Sequence, residues 1–551
     1  TADFEKVEAR LKALLDDRKA LDTLPERCLL EQEFASAGLN ELVADLNARR
    51  VSVEQVRGEV QLAWWTTVFE DIVRSSAIIS NQDGAALQAA SDRFAQVDVE
   101  HVRSIGPMVS QESMRRLCDM LFSRTQEANQ MHTVLAGRAS VSLSRIRRDH
   151  PEILAAAKPI LVAAPGTLAA LTEPGVLADV AILDACAHIP AIELLSMIAH
   201  CATVTSESVK QLIDTLPHIE VDAAPSRRAP RLSAFLESEG YGPVRYDVAT
   251  EPAAGEVRFH RVEASGVPVM SSGLVESSQP EIDEVVRLIT QRAAGFAVVP
   301  SSYRLVVVML TDAFRTRLGA ELKSLAGKSK AMGRFLRHVR LVSLRDVAGG
   351  RATDVILSMC YAKTTHGRLL QQFGPLESTG GRGLLLDALA LADHSLDIVS
   401  AFGSEDLDEE RLHQSGPRFL KTMLTWAEQL DDRPVLPLRD AAGGNVLFDD
   451  IADRLRARGL NAAVDYGFDK GVKIPLVVGL KDKPFALAVQ TDDANFMSVQ
   501  STRRRHRLSA QDLISLGWNV MTVWSVAAFV NPDKEVDRIV SRIGEIYREV
   551  E

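Results

Sequence analysis

The chain has 551 residues, a hydrophobic share of 46% and a charged share of 25%, which predicts a globular protein of three or four domains. Its formal net charge of −11 at pH 7 excludes a global attraction to nucleic acid, so any DNA contact must come from local basic patches. The five cysteines contain no C-x-x-C pair and no apolar run is long enough to span a bilayer, which excludes a zinc ribbon and predicts a cytoplasmic protein with reduced thiols.

Residues 1–152 are predicted to form a helical region. Apolar residues recur every three or four positions in FEKVEARLKALLDDRKAL and in LNELVADLNARRVSVEQVRGEVQLAWWTTVFEDIV, the spacing of amphipathic helices. Trp64 and Trp65 are interpreted as core anchors, because large aromatic side chains are usually buried. The helical region is expected to end where the basic segment SRIRRDH meets Pro151.

Residues 153–248 change to an α/β pattern. The apolar segments KPILVAAP, ADVAILDA and CATVTS predict three buried strands, with helices between them. The stretch 249–256 is rich in Pro, Ala, Gly and Glu, so 249–280 is predicted to be a linker or loop.

Residues 281–432 predict a second parallel α/β unit. The helical segment IDEVVRLITQRAA precedes the apolar segments YRLVVVML, VRLVSL, TDVILSMCYA and SLDIVSAF, which predict its strands. The segment DDRPVLP then leads into a final domain, 433–551.

Three segments of the α/β region occur in a recognisable order: ADVAILDACAHIP, GGRATDVILSMCY, and a run from FGPL through GGR to GLLLDALALAD. Together they resemble the core of superfamily 1 helicases of the bacterial type that carries a C-terminal repair-endonuclease-like domain. The resemblance implies two RecA-like lobes, 153–248 and 281–432, and a fold of the α/β class. The first lobe would be partial and without a P-loop.

The positions that match the helicase catalytic motifs have lost their chemistry. The resemblance places Asp184-Ala185 at the Asp–Glu pair that holds Mg²⁺ and orients water, His188 at a glutamine, and Leu391 at an arginine that stabilises phosphoryl charge. No G-x-x-x-x-G-K-[ST] phosphate loop occurs, because the sequence Gly327-Lys328-Ser329 has Leu322 at the first glycine position. We therefore expect no nucleotide cofactor.

Residues 461–526 contain two short strands, a T-D-D element, a basic segment and LGWNVMTVWS, in that order. This order resembles the very-short-patch-repair-like endonuclease domain of the PD-(D/E)xK superfamily. The resemblance implies a restriction-endonuclease-like fold for the C-terminal domain.

The acids expected from that resemblance are replaced. Pro475 and Gln490 stand at the two acidic strand positions, and Asp492 remains. Mg²⁺ in such sites is held by carboxylate oxygens, and one carboxylate rarely fixes a catalytic ion, so we predict no metal. Asp465 and Asp493 are possible substitutes for the missing acids.

The basic segment is the candidate DNA contact, because the corresponding segment faces DNA in the resembling family. Its candidate residues are Arg503, Arg504, Arg505 and Arg507. The alternative is the start of a helix whose arginines pair with nearby acids, namely Asp492, Asp493 and Asp512.

The sequence therefore predicts a catalytically inactive helicase–nuclease-like scaffold with a protein as its primary partner and weak DNA binding through local basic patches. The alternative is an active DNA helicase or nuclease for repair or defence. Its ATP site would be completed by residues upstream of Thr1, or its nuclease site would use Asp465 and Asp492.

Overall fold

The chain divides into two compact units, Thr1–Leu87 and Gln88–Glu551. None of the helices described is both long and apolar enough to cross a membrane. The computed structural model describes residues 2–75, 84–137, 141–164, 167–168, 178–183, 201–206, 223–250, 256–270, 272–276, 278–347, 350–378, 380–430, 438–439 and 445–550.

The first unit is helical, as its apolar spacing predicts. Its helices are α1 (Ala2–Asp16), α2 (Arg18–Ser36), α3 (Asn40–Ala48) and α4 (Val53–Ser75). None of their side chains that the structure describes is buried. Trp64 and Trp65 are 66% and 63% exposed, so their interpretation as core anchors is wrong. The periodicity shows that a helix has an apolar face, but not what covers that face.

Helices continue at the start of the second unit. The long helix α5 (Gly84–Ser123) enters it at Gln88 and is followed by α6 (Thr125–Ala136), α7 (Leu143–Asp149) and α8 (Pro151–Ala157). Pro151 is the first residue of α8, where its missing N–H costs nothing, so it begins a helix and does not end the helical region.

The segment 158–164 is irregular, so the predicted strand KPILVAAP is wrong. Val162 is 95% exposed, since this apolar run has no strand to pair with among the described residues. The two following segments are strands, as predicted: β1 (Ala178–Leu183) and β2 (Cys201–Ser206) form a parallel pair in which Ala178 is opposite Cys201. The prediction that β1 is buried is wrong, because Val180 and Ile182 are 54% and 78% exposed. The helices predicted between the strands lie mostly outside the described residues.

The second sheet is fully parallel and has the strand order β3-β9-β7-β5-β6. Its strands are β3 (Val257–Arg261), β5 (Leu305–Met309), β6 (Val339–Ser343), β7 (Ala352–Ser358) and β9 (Ala392–Ser400). All five residues of β5 are buried, which explains its continuous apolar run, because helices cover both faces of parallel sheets. Two short strands, β4 (Ser265–Gly266) and β8 (Lys363–Thr364), pair separately.

Strand β3 corrects the prediction that 249–280 is a linker or loop. It lies at the edge of the sheet and pairs with β9 through Val257 and Leu396. The short alternating segment VRFHR carries the strand signal, but the turn-forming residues before it dominate the sequence pattern.

In the described part of this region the α-helices beside the sheet are α9 (Pro230–Ser238), α10 (Gln279–Ala294), α11 (Asp312–Lys328), α12 (Lys330–Phe335), α13 (Gly381–Ala390) and α14 (Ser415–Glu428). The largest fully buried side chains of their common core are Phe314, Phe373 and Phe402.

The C-terminal domain has a five-stranded mixed sheet in the order β10-β11-β12-β13-β14. The strands are β10 (Leu438–Arg439), β11 (Leu460–Phe468), β12 (Ile474–Leu480), β13 (Leu487–Gln490) and β14 (Asn519–Thr522). Among the strand pairings of the described residues, β13–β14 alone is parallel in this sheet.

The helices of this domain are α15 (Val446–Ala457), α16 (Ala494–Ser498), α17 (Ser509–Ser515), α18 (Ser525–Val530) and α19 (Pro532–Val550). Helices α15 and α19 contribute Phe448 and Ile539 to one core of the sheet. Trp518 belongs to a second cluster with Tyr246 and Val248, and its indole N–H donates to the Val248 carbonyl at 2.6 Å.

Candidate functional site

The strand positions of the expected acids lie side by side. Leu476 of β12 is opposite Val489 of β13 in an antiparallel register, so the next pair in the register is Pro475 and Gln490. On the other side of β12, Asp465 of β11 lies between the partners of Leu476 and Ile474 and therefore faces Pro475. The three central strands thus present one carboxylate, one proline and one amide in a row.

Asp492 lies two residues beyond β13, and each of its carboxylate oxygens accepts a hydrogen bond from Ser525. One accepts from the Ser525 backbone N–H at 2.6 Å and the other from the Ser525 hydroxyl at 2.8 Å. Ser525 is the first residue of α18, so Asp492 satisfies a free N–H at the start of that helix. The surviving acid therefore caps a helix.

The possible substitute acids are also constrained. Asp493 accepts from the Phe496 N–H at 2.8 Å and so caps α16. The pKa of Asp465 is raised, chiefly by burial. The charge of Asp493 adds to this increase, and the charge of Lys473 opposes it. The backbone of Asp465 has a φ of +48°. A raised pKa opposes metal binding, because a ligand carboxyl must lose its proton. Among the described residues, no group of three or more His, Cys, Asp or Glu side chains could hold a metal ion.

The basic segment forms a single π-helical turn, Arg504–Leu508, just before α17. Arg503 donates from Nε to the two oxygens of Asp98 at 2.9 and 3.0 Å, and Arg507 donates from Nε to the same carboxylate at 2.6 Å. Asp98, on α5, is only 8% exposed, and its pKa is lowered, chiefly by the hydrogen bond from Arg503. One carboxylate thus pairs with two of the four candidate arginines.

The other two arginines also have partners. Arg504 pairs with Asp512 at 2.9 Å, and the Arg505 guanidinium lies 5.7 Å from the centre of the Phe496 ring. Of the three acids that the sequence suggested as structural partners, Asp512 is therefore correct, while Asp492 and Asp493 cap helices. Asp98 was missed, since it lies about 400 residues earlier in the chain.

An aromatic cluster lies beside these ion pairs. The His506 ring packs edge-on against Phe496 at 5.3 Å and against Phe94 of α5 at 5.9 Å, and its Nδ1 lies 3.0 Å from the Ser91 hydroxyl. Burial, and then the charge of Arg505, lower the pKa of His506. The lowered pKa favours the neutral imidazole in these contacts with α5.

The predicted helicase positions are described only in part. Asp184, Ala185 and His188 lie outside the described residues. Leu391 directly follows α13, is 5% exposed and belongs to the apolar core, and its carbonyl accepts from the Ala352 N–H at 2.9 Å.

Comparison with known proteins identifies the C-terminal domain. The family model REase_MTES_1575, of restriction-endonuclease-like domains, matches residues 448–543. The C-terminal domain is therefore restriction-endonuclease-like. No curated protein matches the chain.

Proposed function

We propose that the protein is a catalytically inactive helicase–nuclease-like scaffold that binds a protein partner and, more weakly, DNA. The observation that carries the proposal is the composition of the nuclease-like strand ends. Pro475 and Gln490 occupy adjacent strands, and the carboxylate of Asp492 is used to cap α18. A catalytic Mg²⁺ needs several hard oxygen ligands held together, and proline supplies none.

The helicase-like part of the proposal rests on the ordered motifs and on the parallel sheets. The five-stranded sheet β3-β9-β7-β5-β6 has the parallel topology expected of a RecA-like lobe, and β1–β2 is a parallel pair in the region of the other lobe. Leu391, at the expected arginine position, is an apolar core residue and supplies no charge to a phosphoryl group.

The first unit supports a protein as the main partner. Exposed apolar helix faces often mark interaction sites, because contact between apolar side chains and water is unfavourable. Trp64 and Trp65 are more than half exposed, and large exposed aromatic residues are frequent anchors of protein interfaces. In α1, four exposed apolar residues recur with helical spacing: Phe4, Val7, Leu11 and Leu14.

DNA is the weaker ligand in this proposal. Three of the four candidate arginines are in ion pairs within the chain, and the net charge of −11 repels the phosphate backbone elsewhere. Binding through the basic segment would be independent of sequence and would fall steeply with salt concentration.

A nuclease with relocated acids is the second candidate. The observation in its favour is that Lys473 and Asp493 are both close enough to Asp465 to shift its pKa. Two carboxylates and a lysine in one place could assist phosphodiester hydrolysis if a metal ion bound between the carboxylates.

One experiment separates the two candidates. The purified chain is incubated with supercoiled plasmid and with ATP, in Mg²⁺ or Mn²⁺, beside the variants Asp465→Asn and Asp493→Asn. The scaffold proposal expects no nicking and no ATP hydrolysis by any of the three proteins. Nicking by the wild type that both variants lose would establish the relocated site, whereas equal nicking by all three indicates a contaminating nuclease.

The partner is tested by affinity capture from the cells that make the protein, with and without nuclease treatment. We expect nuclease-resistant capture that the double variant Trp64→Ser, Trp65→Ser loses, because these side chains are exposed in the first unit. Helical content measured by circular dichroism should not change. Capture that disappears on nuclease treatment would show that DNA bridges the proteins and would contradict a direct protein partner.

A further inference from the structure

One face of α5 lies against the basic segment and the aromatic cluster of the nuclease-like domain. The residues of this face are spaced three or four apart, which places them on one side of a helix. In chain order they are Gln88, Ser91, Phe94 and Asp98. Gln88 contacts Trp524, and Ser91 and Phe94 both contact His506. Asp98 pairs with Arg503 and Arg507. We call these four residues the α5 contact face.

We propose that the α5 contact face covers a binding site for the DNA phosphate backbone, and that Asp98 pairs with the two arginines that a phosphate would otherwise bind. We call this autoinhibitory contact the lock. The inference rests on the DNA binding of the proposed function and adds its regulation. DNA and the α5 contact face then compete for Arg503 and Arg507.

The chemistry of the two arginines supports this competition. A guanidinium binds carboxylate and phosphate oxygens through the same charge-assisted N–H donors. Arg503 and Arg507 converge from one helical turn on a single carboxylate, with donor–acceptor distances between 2.6 and 3.0 Å. A phosphate diester, which is also a single anion, suits the same pair of donors.

The remaining contacts of the α5 contact face are polar or edge-on aromatic, which suits a reversible contact. The Trp524 indole donates to Gln88 at 3.0 Å, and the Ser91 hydroxyl lies 3.0 Å from the His506 ring nitrogen. These groups can bind water after separation, so opening the contact costs less than separating an apolar core. Phe94 is only partly buried.

A solvent groove beside the ion pair gives an anion a route to Arg507. It runs between α5 and the start of α17 and is lined by Gln96, Glu100, Arg103, Arg507 and Gln511, among others. Arg507 is thus both a partner of Asp98 and a wall of the groove. An incoming phosphate can contact Arg507 from this groove before Asp98 leaves.

The test measures DNA binding by the full-length chain with three variants of α5. Asp98→Asn removes the competing anion, and Phe94→Ala weakens the same contact without changing charge. Asp119→Asn is the control, because Asp119 also lies on α5, is 65% exposed and pairs with Arg115. Fluorescence anisotropy with a labelled DNA duplex at low salt gives the affinity, and a salt titration gives the number of phosphate contacts.

We expect Asp98→Asn and Phe94→Ala each to bind duplex at least about fivefold tighter than the wild type, the lower end of typical coupling between sites. The salt dependence of Asp98→Asn should steepen by up to about two phosphate contacts. The control should remain within about twofold of the wild type, as expected for one distant, screened charge. Adding Arg503→Ala and Arg507→Ala to Asp98→Asn should remove the gain.

The lock is overturned if Asp98→Asn binds no tighter than the wild type. It is also overturned if Phe94→Ala shows no gain, since charge removal alone would then explain the first result. Absence of DNA binding in every variant overturns the lock together with the DNA-binding part of the scaffold proposal. Nuclease or ATPase activity would overturn the separate claim that the protein is catalytically inactive. Such activity would not change the outcome of the test of the lock.

Discussion

Glu281 gives the sharpest prediction of stability against pH. It lies in the first turn of α10 and is completely buried, and its Oε1 accepts from the Ser358 hydroxyl at 2.7 Å and from the Cys360 N–H at 2.8 Å. Its Oε2 has no hydrogen-bond partner in the described part of the chain. Burial raises the pKa of Glu281 from 4.5 to about 7.

The sign follows from proton linkage. Between pH 4.5 and 7 the folded state holds a proton at Glu281 that the unfolded chain has lost, so the free energy of unfolding falls as pH rises through this window. One pKa unit corresponds to about 1.4 kcal/mol, so the contribution lost is about 3 kcal/mol. The Glu281→Gln variant cannot ionise and keeps the amide oxygen as an acceptor. We therefore expect the free energy of unfolding of this variant to rise by about 3 kcal/mol relative to that of the wild type between pH 4.5 and 8.

Amide hydrogen exchange read by mass spectrometry is the appropriate assay, because a chain with several domains does not unfold in one step. Protection is compared in peptides covering β5 and β7, after correction for intrinsic exchange rates. The matched control is Glu321→Gln, at an exposed position on α11. If the wild type and Glu281→Gln lose protection in parallel as pH rises, the assignment of a raised pKa to Glu281 is refuted.

Two further predictions concern local structure. Asp492→Ala should lower the free energy of unfolding of the nuclease-like domain by about 1–2 kcal/mol, and Asp492→Asn by less, because Asp492 caps the helix at Ser525. Hydrogen exchange in α18 measures this, and unchanged protection in the Ala variant would contradict the capping role. Gly381→Ala should lower the free energy of unfolding by at least about 2 kcal/mol, because a Cβ there would lie 2.2 Å from the Leu376 carbonyl oxygen. Gly327→Ala, at an exposed position of α11 where an added Cβ would meet nothing within 4 Å, should instead raise the free energy of unfolding by up to about 1 kcal/mol. Equal effects at the two glycines would refute the steric argument.

The central strands of the parallel sheet, β5, β7 and β9, were predictable because most of their residues are buried on both faces. Segments such as Leu305–Met309 are continuous apolar runs of β-branched and similar residues, flanked by helical patterns. The same rule failed at 158–164, since an apolar run becomes a strand only when it finds a pairing partner, and pairing is not encoded locally. Strand β3 was missed for the opposite reason: its five residues alternate in character and follow a stretch rich in turn formers.

The candidate site divides in a similar way. The placement of Pro475 beside Gln490 followed from strand order, because adjacent antiparallel strands bring sequence-distant positions together in a fixed register. The partner of Arg503 and Arg507 did not follow, since no local pattern connects Asp98 with a segment about 400 residues later. The only signal in the sequence was an acid on the same helical face as Phe94, Ser91 and Gln88, which does not identify the basic partner.

In the proposed competition for Arg503 and Arg507, Asp98 has an advantage over DNA. Asp98 belongs to the same compact unit as the arginines, so its contact with them forms without a bimolecular association step. DNA must exceed this competition from solution, and its contacts weaken with salt through counterion release. The Asp98 pair is screened less, because Asp98 is 8% exposed and Arg507 is mostly buried. Under the proposed competition, rising salt therefore favours the Asp98 contact over DNA, so we expect the wild type to bind DNA weakly at low salt and more weakly still as salt rises.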